Sequence, residues 1–273
     1  MLNIPLLNGA LSKGFILCLT IFLSGCDIRR GNEQDSSQLF SLGSPWQSKA
    51  ELAEAVPRSS SLAKVIDCRS RLDLPNESLF LAHATNYDVR QYQSDIGKLL
   101  PNKPELVVIH ETVIDEKSTI RMFQTPHQDD SQQVSYHMLV ARDGSLVRIV
   151  PDANRAYGAG KSHFGGYTIR SKKNSRGSIN NVALHISLVS PPHVDNSNSH
   201  SGYTDAQYSS LAGQVLVWQM KYQIPLVNIT THQIVDRSHS RYDPRSFDWS
   251  RFDMYHNTMA RLCGASHLAI AND

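Results

Sequence analysis

Along the chain, apolar and polar positions change period several times, and each change marks an element. Residues 105–112, ELVVIHET, open on an unbroken apolar run, the pattern of a strand buried on both faces. STIRMFQTP at 118–126 reads as a short helix, with Ser118 as its N-cap and Pro126 beyond its end. In VSYHMLVARDGSLVRIVP two β-rich runs flank Arg142-Asp143-Gly144, and the Asp-Gly pair predicts a hairpin turn. NNVALHISLVS predicts a further strand. The longest helical pattern is YTDAQYSSLAGQVLVWQMKYQIP. Thr204 and Gln207 form a capping box. Tyr208, Leu211, Val215, Trp218 and Tyr222 recur at helical spacing as a core face, and Pro225 ends the run. LVNITTH is strand-like, and DWSRFDMYHNTMARL predicts a closing helix. Strands alternating with helices give one α/β domain by length. Residues 61–104 are ambiguous; NYDVRQYQSDIGKLL fits either a helix or a wrapping segment.

The N-terminus follows a different logic. Lys13 precedes GFILCLTIFLSG, an apolar run shorter than the ~20 residues a bilayer span requires. A positive residue, a short apolar core and small residues form the secretory pattern. Leu23-Ser24-Gly25-Cys26 resembles a bacterial lipobox, whose cysteine is lipidated and becomes the mature N-terminus. The expectation is a signal peptide over 1–25, lipidation at Cys26, and a flexible tether over 26–60 with one short helix at SKAELAEA. Such a tether reaches roughly 30–35 Å at ~5–6 Å × √n. Acyl chains contribute ~0.8 kcal/mol per buried CH₂, so the chain is expected to be anchored to a membrane and to face an extracytoplasmic compartment, the periplasm or cell wall. Of the four cysteines, Cys18 leaves with the signal and Cys26 carries lipid. Cys68 and Cys263 remain, either as a disulfide, which an oxidising compartment permits, or as two buried thiols.

Composition narrows the function. The net charge is +2, and no Lys/Arg-rich run carries interleaved aromatics, so nucleic acid is not an expected partner. Hydrophobic residues make up 40% of the chain, as in ordinary globular domains. The twelve histidines carry more information. His110 ends a buried strand, where side chains emerge into a cleft. His232 follows a strand-like stretch, and Asp243 lies in the polar segment TTHQIVDRSHSRYDPRSFD. Two imidazoles and one carboxylate suffice for a catalytic zinc with a fourth position open. His163, His193, His200 and His239 fall in polar loops and are expected at the surface.

The segments VVIHET, VSYHMLVARDGSLVRIVP, NNVALHISLV, YTDAQYSSL and TTH…RYDPR together resemble the zinc-dependent N-acetylmuramoyl-L-alanine amidase family. That family includes the phage T7 lysozyme type, the AmpD and AmiD types, and peptidoglycan recognition proteins. The resemblance implies a central mixed β-sheet flanked by helices over 105–262, after an N-terminal extension at 61–104 and before a C-terminal tail at 263–273. It implies zinc held by His110, His232 and Asp243, and a monomer that hydrolyses the amide between the lactyl group of N-acetylmuramic acid and L-alanine in peptidoglycan or muropeptides. It also points to Tyr136, His185 and Arg241 as catalytic. Tyr136 matches a tyrosine beside the metal, and its strand neighbour His137 faces the opposite side in a structural role. Arg241 stands where many members have lysine. His185 stands where AmpD and AmiD types have a glutamate, as a general base or as a strand residue beside the groove. Gly158 in AYGAG replaces a groove histidine, and the basic segment 161–178 is read as an exposed loop. In the loop between the ligands, Asp236 and Arg237 are expected to hold the chain by ion pairing or to order His232. Arg245 and Asp248 are expected to stabilise its end. Two other readings are a recognition protein that binds peptidoglycan without turnover and a zinc hydrolase of another amide. Retention of Asp243 favours catalysis.

Overall fold

A computed structural model describes residues 60–170, 177–192 and 198–269. The expected signal peptide, Cys26, the tether with its SKAELAEA helix, and His193 lie outside the described residues. The described chain opens with α1 (Ser60–Arg71), followed by β1 (Glu77–Leu79), β2 (Tyr87–Val89) and β3 (Leu106–Glu111). Next come α2 (Glu116–Gln124), the hairpin strands β4 (Met138–Val140) and β5 (Leu146–Arg148), β6 (Asn154–Ala156) and β7 (Ala183–Leu188). The chain then forms the long helix α3 (Asp205–Tyr222), β8 (Ile229–Thr231), the single turn α4 (His232–Val235) and the closing helix α5 (Trp249–Leu262).

Six strands form one mixed sheet in the order β1-β5-β4-β7-β3-β8, and β2 pairs with β6 in a small antiparallel sheet. β3 sits between β7 and β8, parallel to both, which is why its run is apolar on both faces. Alternation sorts its side chains. Val107 and Ile109 join the core with Leu211, Val215 and Trp218 of α3 and Phe252 of α5. Leu106 and Val108 join a second cluster on the other face with Ile179 and Val182. His110 shares the side of Val108, so it leaves the sheet away from α3.

The long helix has the predicted capping box: Thr204 Oγ1 accepts from Gln207 N, and Gln207 Oε1 accepts from Thr204 N. It ends at Tyr222 through Gln223 in the left-handed region, before Pro225 is reached. The expected core face Tyr208, Leu211, Val215 and Trp218 is buried, but so is almost every residue from Gln207 to Gln219. The reason is a second layer. α1 and α5 cover the outer side of α3, Phe252 packs on it, and Leu74 approaches so closely that a Cβ at Gly213 would lie 2.6 Å from it.

Three expectations change. The cap of α2 is Asp115, whose side chain accepts from the backbone N of Ser118; Ser118 is already inside the helix. The region 61–104 is neither a single helix nor an appendage. Its first part is α1, and β1 joins the main sheet parallel to β5, tied by Glu77 to Arg148 at 2.8 Å. The tail is bonded to this same region: Cys68 in α1 and Cys263 after α5 form a disulfide with Cα atoms 4.9 Å apart. Cys68 is fully buried.

Candidate metal centre

The candidate residues come from three places. His110 is the penultimate residue of β3, His232 begins α4 immediately after β8, and Asp243 lies in the loop that follows. Because β3 and β8 are parallel neighbours, their C-terminal ends deliver both histidines to one edge of the sheet. The loop is folded back by Asp236. Its carboxylate accepts from Ser238 N at 2.8 Å, Ser238 Oγ at 2.6 Å, Ser240 N at 2.8 Å and Arg241 N at 3.1 Å. Burial opposes these contacts, yet the donors hold its pKa down at about 2. Gln233 N then donates to the Asp243 carbonyl at 3.0 Å, which seats Asp243 beside His232. Asp236 therefore works as a backbone acceptor, not as an ion-pair partner of Arg237 or an orienter of His232. Arg237 meets the chain through its own N, which donates to the Lys161 carbonyl at 2.9 Å.

The three ligand atoms lie within 4.8 Å of one another. His232 Nδ1 is 2.9 Å from Asp243 Oδ1, and His110 Nδ1 is 3.3 Å from Asp243 Oδ2. The His110–Asp243 distance is within ion-pair range, but His110 Nδ1 is buried without a hydrogen-bond partner. A buried nitrogen lone pair that faces a carboxylate and a second imidazole is what a cation between them would satisfy. The donor set is two imidazole nitrogens and one carboxylate oxygen. Burial, then the neighbouring His232, pushes His110 down to about 4. Burial works against the Asp243 carboxylate, but contact with both imidazoles holds it below the usual carboxylate range. His110 and Asp243 are thus in metal-binding form at neutral pH. The residues fit a zinc ion.

Tyr136 lies over this centre. Its ring stacks on His110 at 4.5 Å between centroids and meets Phe123 of α2 edge-on at 5.4 Å. Burial and the Asp243 charge push its pKa up, so it remains a phenol and a donor. Arg241 is exposed two residues before Asp243, and its charge acts on both Tyr136 and His110. His137 does not take the opposite face: it precedes β4, and its ring lies nearly parallel to that of His185 with centroids 5.8 Å apart, on the His110 side of the sheet and behind His185. It is fully buried, and its Nδ1 accepts from His185 N at 2.9 Å.

His185 departs from the general-base expectation. It is fully buried, and its Nδ1 is 2.9 Å from Nε2 of His110, on the far side of that ring from Asp243. It stands behind a ligand, out of reach of a substrate in the groove. Gly158 lies against this ring, so it does not line the groove where a histidine would. His200 also differs from its surface expectation. Its Nε2 is 2.8 Å from Glu111 Oε2, and its side chain is 6% exposed. His239 is exposed in a left-handed turn, away from the ligand cluster. His163 is half-buried, with its ring against Thr168 Oγ1.

Sequence reasoning missed Glu111, the residue after His110. Its side chain is 1% exposed, and it accepts from Arg245 Nε, His200 Nε2 and, at 3.0 Å, the Tyr203 hydroxyl. It ties the end of β3 to the loop that carries Asp243. The signal was present as a carboxylate at the end of an apolar run, where it cannot stay unpaired. Arg245 thus stabilises the loop, as expected, and Asp248 caps α5 by accepting from Arg251 N.

Comparison with known proteins places part of the chain in a family. Residues 100–246 match the family described as N-acetylmuramoyl-L-alanine amidase. The chain is similar to the 1,6-anhydro-N-acetylmuramyl-L-alanine amidase AmpD of Citrobacter freundii, with 32% identity over 120 residues, 44% of this chain and 56% of that protein. It is similar to AmpD of Escherichia coli (strain K12), with 31% identity over 44% of this chain and 57% of that protein. The chain thus spans little more than half the length of the curated relatives it matches. Among solved structures it is similar to a selenomethionine AmpD derivative, with 26% identity and a TM-score of 0.46, over 64% of this chain and 92% of that one.

Proposed function

The chain belongs to the N-acetylmuramoyl-L-alanine amidase family, and from that premise we propose that it hydrolyses the amide between the lactyl group of N-acetylmuramic acid and L-alanine, with zinc held by His110, His232 and Asp243. The observation that carries the reading is the convergence of those three ligand atoms within 4.8 Å inside the matched residues 100–246. The relatives' names, 1,6-anhydro-N-acetylmuramyl-L-alanine amidase, support an N-acetylmuramyl-L-alanine amide as the substrate class.

A zinc ion held by His110, His232 and Asp243 would supply Lewis acidity toward the scissile carbonyl and toward an attacking water. The protein's own groups do the rest. Asp243 and the two imidazoles hold a fixed geometry because Asp236, Gln233 and Glu111 fix the loop. Tyr136 keeps its proton on Oη and can donate it in a hydrogen bond to the oxyanion that develops on the carbonyl. Arg241 supplies a permanent positive charge at the rim that favours the same oxyanion, but it cannot release a proton. His185, buried behind His110, takes no part in proton transfer to substrate. Asp243 within the cluster favours turnover over binding without hydrolysis.

The lipobox at Leu23–Cys26 supports a lipid-anchored protein facing an extracytoplasmic compartment. The Cys68–Cys263 disulfide supports the same address, since such bonds persist in oxidising compartments. Among the described residues no helix is long and apolar enough to cross a membrane. Incorporation of labelled fatty acid that disappears in Cys26→Ala tests the anchor.

The central test is mass spectrometry of muropeptides digested by the purified chain with and without a chelator. The expected products are L-Ala-headed peptides, absent with chelator and absent for Asp243→Ala, which keeps its fold. Undiminished release by the chelated enzyme overturns the metal assignment; cleavage at another bond overturns the substrate.

A further inference from the structure

His185 and Gly158 have no place in the chemistry above, and the fold brings them together. In the register of β3 on β7, Val108 pairs with His185 and His110 with Ser187. His185 is therefore the diagonal neighbour of His110 on the same face of the sheet, close enough for ring contact. The 2.9 Å separation joins His110 Nε2 to His185 Nδ1, while His110 Nδ1 is turned to Asp243.

The position of the His185 ring is determined from several sides. Its backbone N donates to His137 Nδ1 at 2.9 Å, and the two rings lie nearly parallel, 16° apart with centroids at 5.8 Å. His137 is itself held at Nε2, which lies 3.3 Å from Arg90 Nη2 and 3.2 Å from the Asn154 carbonyl. Gly158 covers the His185 ring. A Cβ there would lie 2.4 Å from His185 Cγ, 2.5 Å from Nδ1 and 2.9 Å from Cδ2. The backbone at 158 is not in the left-handed region, so conformation does not call for glycine; the imidazole does.

The direction of the hydrogen bond follows from the ligand role. A neutral imidazole that offers Nδ1 to an ion carries its proton on Nε2, and at His110 that proton points at His185 Nδ1. Metal-binding histidines commonly donate their second N–H to a carboxylate, a carbonyl or water, which fixes ring and tautomer. Here the acceptor is another imidazole, which has no carboxylate oxygen to offer. It orients His110 without adding negative charge behind the ion. We propose, resting on the zinc reading above, that His185 is a positioning residue: it accepts the His110 Nε2 proton and so fixes the ring and tautomer of that ligand, in a space that Gly158 keeps open.

The test measures zinc affinity of the full chain by competition with a fluorescent chelator, alongside the visible spectrum of the cobalt-substituted protein. The variants are His185→Phe, His185→Gln and Gly158→Ala. Phenylalanine fills the space without an acceptor and should weaken zinc binding about 10–100-fold. Glutamine offers a side-chain oxygen and should recover most of that loss. Gly158→Ala drives a methyl group into the imidazole and should reproduce the Phe effect, with little added loss in the double variant. The cobalt bands should shift in His185→Phe and Gly158→Ala and return toward wild type in His185→Gln. Wild-type zinc affinity in His185→Phe overturns the inference, as does a glutamine variant no better than phenylalanine. If His185→Phe does not fold, Gly158→Ala with unchanged affinity overturns it instead. A wild-type chain that takes up no zinc overturns the ligand assignment as well, which separates the two failures.

Discussion

Replacing Glu111 by glutamine isolates the link between the sheet and the loop that carries Asp243. The Glu111 side chain is 1% exposed and Arg245 is 9% exposed, so the pair is shielded from solvent. His200 Nε2 at 2.8 Å and the Tyr203 hydroxyl at 3.0 Å use the second oxygen. Removing one partner of a buried ion pair costs about 3–5 kcal/mol. Glutamine keeps the shape and one acceptor, and Arg245 has other interactions, so the low end applies, about 3 kcal/mol. For a domain of this size that corresponds to a fall in Tm of roughly 6–12 °C, at 2–4 °C per kcal/mol. Because Arg245 lies two residues after Asp243, zinc affinity should fall with stability. Urea denaturation of metal-free protein gives the first quantity and chelator competition the second. A double-mutant cycle with Arg245→Met should show coupling of about 1–3 kcal/mol. A loss under about 1 kcal/mol with unchanged zinc affinity would refute the idea that this carboxylate positions the loop.

Three further outcomes are expected. Tyr136→Phe should lower kcat about 10²-fold at unchanged zinc content, the scale of one lost oxyanion donor, and a full-rate variant removes Tyr136 from the mechanism. Cys68→Ser with Cys263→Ser opens a loop closed across a sequence separation of 195 and should cost about 5 kcal/mol by chain entropy, read from urea midpoints; a change under about 1 kcal/mol shows that the helices alone hold the termini. His256 is buried against Gln219 Oε1 at 2.6 Å, and burial lowers its pKa to about 4. Its unfolded value is near 6.5, so below that pH the unfolded chain takes up a proton that the folded chain refuses. Stability contributed by neutral His256 is complete above pH 6.5 and falls as pH drops toward 4, by at most about 3 kcal/mol. His256→Gln should flatten this acid limb, and an unchanged slope excludes His256 as a contributor.

Elements with a long period were legible in the sequence. The buried strand before His110, the Asp-Gly hairpin and the Thr204 capping box follow from local chemistry, and the structure shows each. The cluster of His110, His232 and Asp243 was legible through the family resemblance of the segments that carry them, and the structure brings the three together. What sequence did not carry was register. Whether His185 faces the groove or lies behind His110 depends on which residue of β3 it opposes, and nothing in ALHISL states that. The surface expectation for His200 failed for the same reason, since its partner Glu111 is remote in sequence. Segment 61–104 was ambiguous because β1 has three residues, too few to show a period, and gains its identity from pairing with β5. The encircled state of α3 is likewise a tertiary fact, supplied by α1 and α5.

The covalent link between Cys68 and Cys263 also determines how the domain meets mechanical load. Tension applied to the chain ahead of residue 60 enters through α1, which on packing alone would peel away from α3. With the sulfur bridge in place, the pull passes directly into the end of α5. A pull on the leading segment is therefore carried by a covalent bond and not by the packing of α1 on α3 alone.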